Sequence, residues 1–67
     1  MVEIVIQERK YLDDQKIHTV IYTVDGGQRA NMLTDWVDQA GVAHNQYTDT
    51  KDLSDDDLKT WIGANLL

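Results

Sequence analysis

The chain contains no cysteine, which excludes disulfides, thiolate metal sites and thiol redox chemistry. Bases are scarce: six Lys and Arg stand against twelve Asp and Glu, for a net charge of −6. That balance disfavours direct nucleic-acid binding, because attraction to phosphates needs clustered Lys and Arg. Apolar runs are short, none approaching the roughly 18 residues that span a bilayer. The amino terminus, Met1-Val2-Glu3-Ile4, is too short and too acidic for a signal peptide. The expectation is a cytoplasmic protein with no membrane partner. There are two histidines, His18 and His44, far apart in sequence. A four-ligand zinc site would have to recruit several aspartates, so neither a metal nor a cofactor is expected.

What is present suits one small folded domain over residues 1–67, with 42% hydrophobic residues and two tryptophans. A chain of this size buries only about 60% of the surface its unfolded form exposes. Without disulfides or metal, idealised local structure or self-association is left to supply stability. The charge is uneven: residues 38 to 67 hold six acids and only Lys51 and Lys59 as bases.

Residues 2–12 begin with β-branched side chains and then alternate in polarity, which predicts a strand. Asp13-Asp14-Gln15 reads as a turn, and residues 17–24 predict a second strand paired with the first in an antiparallel hairpin. Asp25-Gly26-Gly27 breaks that strand. Ala30, Leu33, Trp36, Val37 and Ala40 then recur at helical spacing, predicting a helix over 28–40 that ends at Gly41. Residues 42–48 predict a short third strand. The last segment predicts a helix over 54–66: Ser54 as N-cap, Asp57 three residues on, and Leu53 with Leu58 placed as a hydrophobic staple. The expected fold is therefore α+β, in the order β-β-α-β-α. Its three-stranded sheet carries two helices on one face and makes strands two and three parallel through a right-handed crossover. Trp36 and Trp61 would be buried against the sheet.

A loop at Asp13–Gln15 sets Ile6 opposite Tyr22 and Ile4 opposite Val24 on one face of the hairpin. Val5, Tyr11, Ile17 and Ile21 fall on the other, among Gln7, Arg9, Thr19 and Thr23. Both faces carry apolar residues, but two helices cover only one, so the bare face is a candidate interface.

Motifs of chemistry are few. Asp49, Asp52, Asp55, Asp56 and Asp57 lack the alternation and glycine of a calcium-binding loop, and helix capping explains Ser54 to Asp57 by itself. Asp25-Gly26-Gly27 lacks the Lys of a phosphate loop and the third glycine of a dinucleotide fingerprint. Neither histidine has a serine, cysteine or threonine in a nucleophile context, and the lone serine, Ser54, serves as a cap. Residues 20 to 62 resemble the amino-terminal part of the thioredoxin-like arsenate reductase group, through Ile21-Tyr22, Trp36-Val37-Asp38-Gln39-Ala40-Gly41-Val42, and Leu53-Ser54 with Leu58 and Trp61. The resemblance implies a strand-helix-strand-helix order. The group's reactive cysteine has no counterpart at Gly27 to Ala30, so it implies no activity.

These readings converge on a small acidic binding module, non-enzymatic, that acts by protein–protein interaction. Val5, Tyr11, Ile17 and Ile21 are the candidates for an apolar contact. Asp35, Asp38, Asp55 and Asp56 are the candidates for an electrostatic contact with a basic partner. Such a composition suits a modulator or inhibitor, a phage-encoded one included. The alternatives are a homodimeric accessory protein and a nucleic-acid mimic whose carboxylates imitate a phosphate backbone.

Overall fold

The structure, a computed structural model, describes residues 2–67. Four strands form an antiparallel sheet in sequence order: β1 (Ile4–Leu12), β2 (Ile17–Val24), β3 (Gly27–Val37) and β4 (Ala43–Asn45). Two helices follow, α1 (Gln46–Thr50) and α2 (Asp55–Asn65).

The β1–β2 hairpin pairs as expected at its open end, with Ile4 opposite Val24 and Ile6 opposite Tyr22. Beyond Ile6 a β-bulge intervenes. Gln7 is supernumerary, so that Glu8 faces Ile21, Arg9 faces Val20 and Tyr11 faces His18. The extra residue turns Arg9 and Tyr11 onto the side that carries Ile4 and Ile6. Leu12, opposite Ile17, goes to the other side.

The expected helix over 28–40 is a strand. Val24 pairs with Gly27 across a two-residue loop, and both loop residues have positive φ, 50° at Asp25 and 83° at Gly26. Asp-Gly with two positive φ values is the type I′ turn whose twist matches a tight hairpin, so the chain folds straight back along β2. Glu3 donates its backbone N–H to the Asp25 carboxylate at 2.8 Å, which ties the turn to the start of the chain. The apolar spacing at Ala30, Leu33 and Trp36 therefore divides between the two sides of a strand. The β2–β3 pair is antiparallel and contains no crossover. The element order implied by the likeness to arsenate reductases falls with it.

Gly41, at φ 82°, belongs to the β3–β4 turn rather than to a helix cap. There the Asp38 carboxylate accepts from the backbone N–H groups of Ala40 and Val42, both at 2.9 Å. The expected third strand over 42–48 is shorter, because α1 begins at Gln46. One carboxylate holds that helix to β3: Asp35 accepts from the Thr48 backbone N–H at 3.0 Å and from its hydroxyl.

The helix expected over 54–66 forms over 55–65. Ser54 Oγ accepts from the Asp57 N–H at 3.1 Å, and Asp55, Asp56 and Asp57 occupy the positive end of the helix dipole. Leu58 and Ile62 of α2 are fully buried with Val20, Tyr22 and Leu33, and this core is flanked by Ile4, Ile6, Val24, Leu53, Trp61 and Leu66. Tyr22 reaches the core because its hydroxyl has a partner, Asn31 Oδ1, at 2.7 Å. All the helix packing lies on one side of the sheet. Trp36, expected in the core, is half exposed instead.

Candidate functional site

On the covered side, the bulge delivers Arg9 to the join between sheet and helices. Its Nε donates to His18 Nε2 at 3.2 Å. Nη1 donates to the Leu53 carbonyl at 2.7 Å and to Asp55 Oδ1 at 3.1 Å, and Nη2 to the Thr50 carbonyl at 3.2 Å. One guanidinium thus ties β1 to both ends of the α1–α2 connection. It also fixes the His18 tautomer. Nε2 accepts from Arg9, so Nδ1 carries the proton and donates to Thr50 Oγ1 at 3.0 Å, while that hydroxyl donates to the Gln46 carbonyl. His18 and Thr50 are both fully buried, and Tyr11 stacks on the His18 ring at 4.5 Å. Burial, and then the Arg9 charge, push the imidazole down to about 4, so the ring is neutral at physiological pH. This cluster is a structural clasp: each of its polar atoms is already engaged.

The opposite side of the sheet has no helix on it. By strand alternation it carries Val5, Leu12, Ile17, Ile21, Met32 and Trp36, interleaved with Thr19, Thr23, Ala30 and Thr34. Met32 is 63% exposed and Trp36 48%. Three of the four residues read from sequence as an apolar contact, Val5, Ile17 and Ile21, do share this face. Tyr11 does not, because the bulge turns it toward His18 and its hydroxyl donates to the Lys51 carbonyl at 3.2 Å. Leu12, Met32 and Trp36 are the members that sequence reading missed. Leu12 was hidden by the bulge, and Met32 and Trp36 by the helical spacing of β3.

Charge is divided between the two sides. Within the strands, the charged residues of the open face are Glu8 and Lys10, 3.9 Å apart on the edge strand β1, and His44 of β4 joins them at the opposite edge, stacked on Trp36. The Glu8 and Lys10 charges cancel. The helical half carries Asp49, Asp52, Asp55, Asp56 and Asp57 against Lys51 and Lys59. All four acids expected to make an electrostatic contact have local partners. Asp35 anchors α1, and the Thr48 hydrogen bonds hold its pKa below the usual range. Asp38 braces the turn and accepts from His44 Nε2 at 3.0 Å, which depresses its pKa in turn. Asp55 pairs with Arg9. Asp56 has the loosest of these partners, Lys59 at 3.8 Å, and its side chain is 95% exposed.

His44 and Asp38 have the geometry of a base and its orienting carboxylate, with Trp36 stacked on the imidazole at 4.3 Å. Among the described residues no hydroxyl is hydrogen-bonded to that imidazole to serve as a nucleophile. An open groove of about 550 Å³ is lined by Tyr11, Asp13, Lys16, Tyr47, Lys51 and Asp52. Within it the Tyr47 hydroxyl donates to Asp13 at 2.9 Å, and the Lys51 ammonium lies over the Tyr47 ring. Among the described residues no cluster of three or more His, Asp or Glu is arranged to hold a metal ion, and no helix is long and apolar enough to cross a membrane.

Comparison with known proteins returns no matching family model, no similar curated protein and no similar solved structure. The site is therefore read from its own geometry.

Proposed function

We propose that the chain is a small non-enzymatic binding module that acts by protein–protein interaction, its acidic helical side engaging a basic partner as a modulator or inhibitor would. The observation that carries this reading is the division of charge. Five acids and two lysines lie on the short stretch from Gln46 to Asn65, and three of those acids crowd the first turn of α2. Carboxylates gathered on one side speed the approach of a positively charged partner and set its orientation. Neighbouring hydrogen bonds hold the Asp35 and Asp38 carboxyls below the usual carboxylate range, so these two stay ionised under mildly acid conditions.

The test is an affinity capture from the source lysate with the tagged chain, washed at about 50 mM and about 500 mM salt. A basic partner should be retained at low salt and lost at high salt. The double variant Asp56→Asn, Asp57→Asn, which leaves the Ser54 cap in place, should weaken its retention several-fold. A partner indifferent both to salt and to these two changes would overturn the assignment to the acidic side.

A further inference from the structure

We infer that the open face of the sheet is covered by a second copy of this chain, two sheets packing face to face with the helices outermost. The inference uses the side opposite the acidic one and stands apart from the function proposed above. Its first support is chemical. On the two strands that form the middle of the face, β2 and β3, no open-side residue is charged: Ile17, Thr19, Ile21 and Thr23 lie beside Gln28, Ala30, Met32 and Thr34, and Trp36 lies beyond them, stacked on His44 of the edge strand β4. An uncharged face with exposed Met and Trp is the composition of an interface centre, and threonines pack well between sheets. The two charged residues, Glu8 and Lys10, lie on edge strand β1, where a partner sheet leaves them in water at the rim and already paired.

The second support is electrostatic. A chain of charge −6 resists meeting another copy of itself, and most strongly through its helical side. Face-to-face packing avoids the penalty. Each layer adds about 10 Å, so the α2 acids of two copies would stand about 30 Å apart, three to four screening lengths at physiological salt. The open face is thus the broad surface on which like copies meet without opposed charge. A basic partner, by contrast, gains nothing there.

The third is size. Three strands about 4.8 Å apart and about 30 Å long give a plan area near 400 Å² per copy, below the roughly 800 Å² of a standard interface. The dimer is accordingly reversible and concentration-dependent.

Sedimentation equilibrium over about 10 µM to about 1 mM protein tests it. The weight-average mass should climb from 7.7 kDa toward twice that value, and raising the salt should leave the association unchanged or tighten it. Met32→Lys, a change at an exposed position, should hold the mass at 7.7 kDa over the whole range while far-UV circular dichroism and the unfolding midpoint stay as in the parent chain. Asp56→Asn, on the far side, should dimerise at least as well as the parent. A parent chain that stays monomeric at 1 mM overturns the proposal. So does a Met32→Lys protein that dimerises with parental affinity, which would place the contact elsewhere, such as the free edge of β1. Because the capture experiment turns on Asp56 and Asp57 and this one on Met32, either proposal can fail alone.

Discussion

Acidification should unfold this protein earlier than its carboxylates alone would dictate, because of His18. In the native chain the imidazole is neutral, with a pKa near 4, whereas in the unfolded chain it returns to about 6.5. Between those values the unfolded state binds the extra proton, so stability is complete above pH 6.5, falls as the pH drops toward 4, and levels off below it. The full difference of about 2.5 units corresponds to about 3.4 kcal/mol at 1.36 kcal/mol per unit. The ring lies only one side chain from water, under Tyr11, which is 41% exposed, and screening there reduces the expected loss to about 2 kcal/mol. That is a large share of the roughly 3–10 kcal/mol that a chain of this length holds in reserve. An opposing effect acts in the same window: the net charge approaches zero near pH 4.4, and self-repulsion relaxes. Urea unfolding at several pH values, run beside His18→Asn, separates the two. The asparagine amide can donate to Thr50 Oγ1, and the variant shares the net-charge effect, but it has nothing to titrate at position 18. It should be less stable at pH 7, with the gap to the parent closing by about 1.5 kcal/mol on going to pH 4.5. Parallel profiles for the two proteins, or an imidazole titration near 6.5 for His18 by NMR, would refute the reasoning.

Gly26→Ala meets no steric obstacle, since nothing lies within 4 Å of an added Cβ, but the φ of 83° remains. It should cost about 1–2 kcal/mol, seen as a melting temperature lower by about 4–15 °C, while Asp25→Asn, with a side chain that tolerates positive φ, should keep the turn. Leu58→Ala empties the centre of the core and should cost about 2–5 kcal/mol, enough to leave much of the protein unfolded at 37 °C by circular dichroism. Deletion of Gln7 removes the one residue of β1 without a ladder partner and leaves every other pairing of the hairpin intact. The shortened chain should fold and keep the acid sensitivity set by His18, whereas deletion of Lys10, which is paired, should abolish cooperative unfolding.

The parts of the fold that were legible in the sequence carry their signal locally. Ser54 and the three aspartates after it mark the start of α2 without reference to the rest of the chain, and the leucines around them point to the core. The β1–β2 register at Ile4 and Ile6 followed from loop length and from the match of apolar positions. The β3 strand was misread because two periodicities overlap in it. Ala30, Leu33, Trp36 and Val37 satisfy a helical stripe, while the strand that forms has an open side and an exposed end, so its alternation is diluted. The decisive signal was nonetheless present two residues earlier, in Asp25-Gly26 between two apolar runs, the sequence of a type I′ hairpin. The bulge at Gln7 left no such mark. It depends on what waits across the sheet, namely a buried histidine with a free acceptor nitrogen and two helix-connection carbonyls that only a guanidinium reaches together.

That bulge also determines the surfaces on which function is proposed. Had Gln7 entered the ladder opposite Ile21, Glu8 would face Val20 and Lys10 would face His18, both beneath the helices. Arg9 and Tyr11 would stand on the open side. Two charges would then be buried without the partners that make burial tolerable, and a guanidinium would project from the bare face. One extra residue avoids both outcomes. It gives Arg9 four acceptors on the covered side and leaves Glu8 and Lys10 to neutralise each other at the rim. It also adds Leu12 to the apolar face. The uncharged character of the open face therefore arises from register as much as from composition.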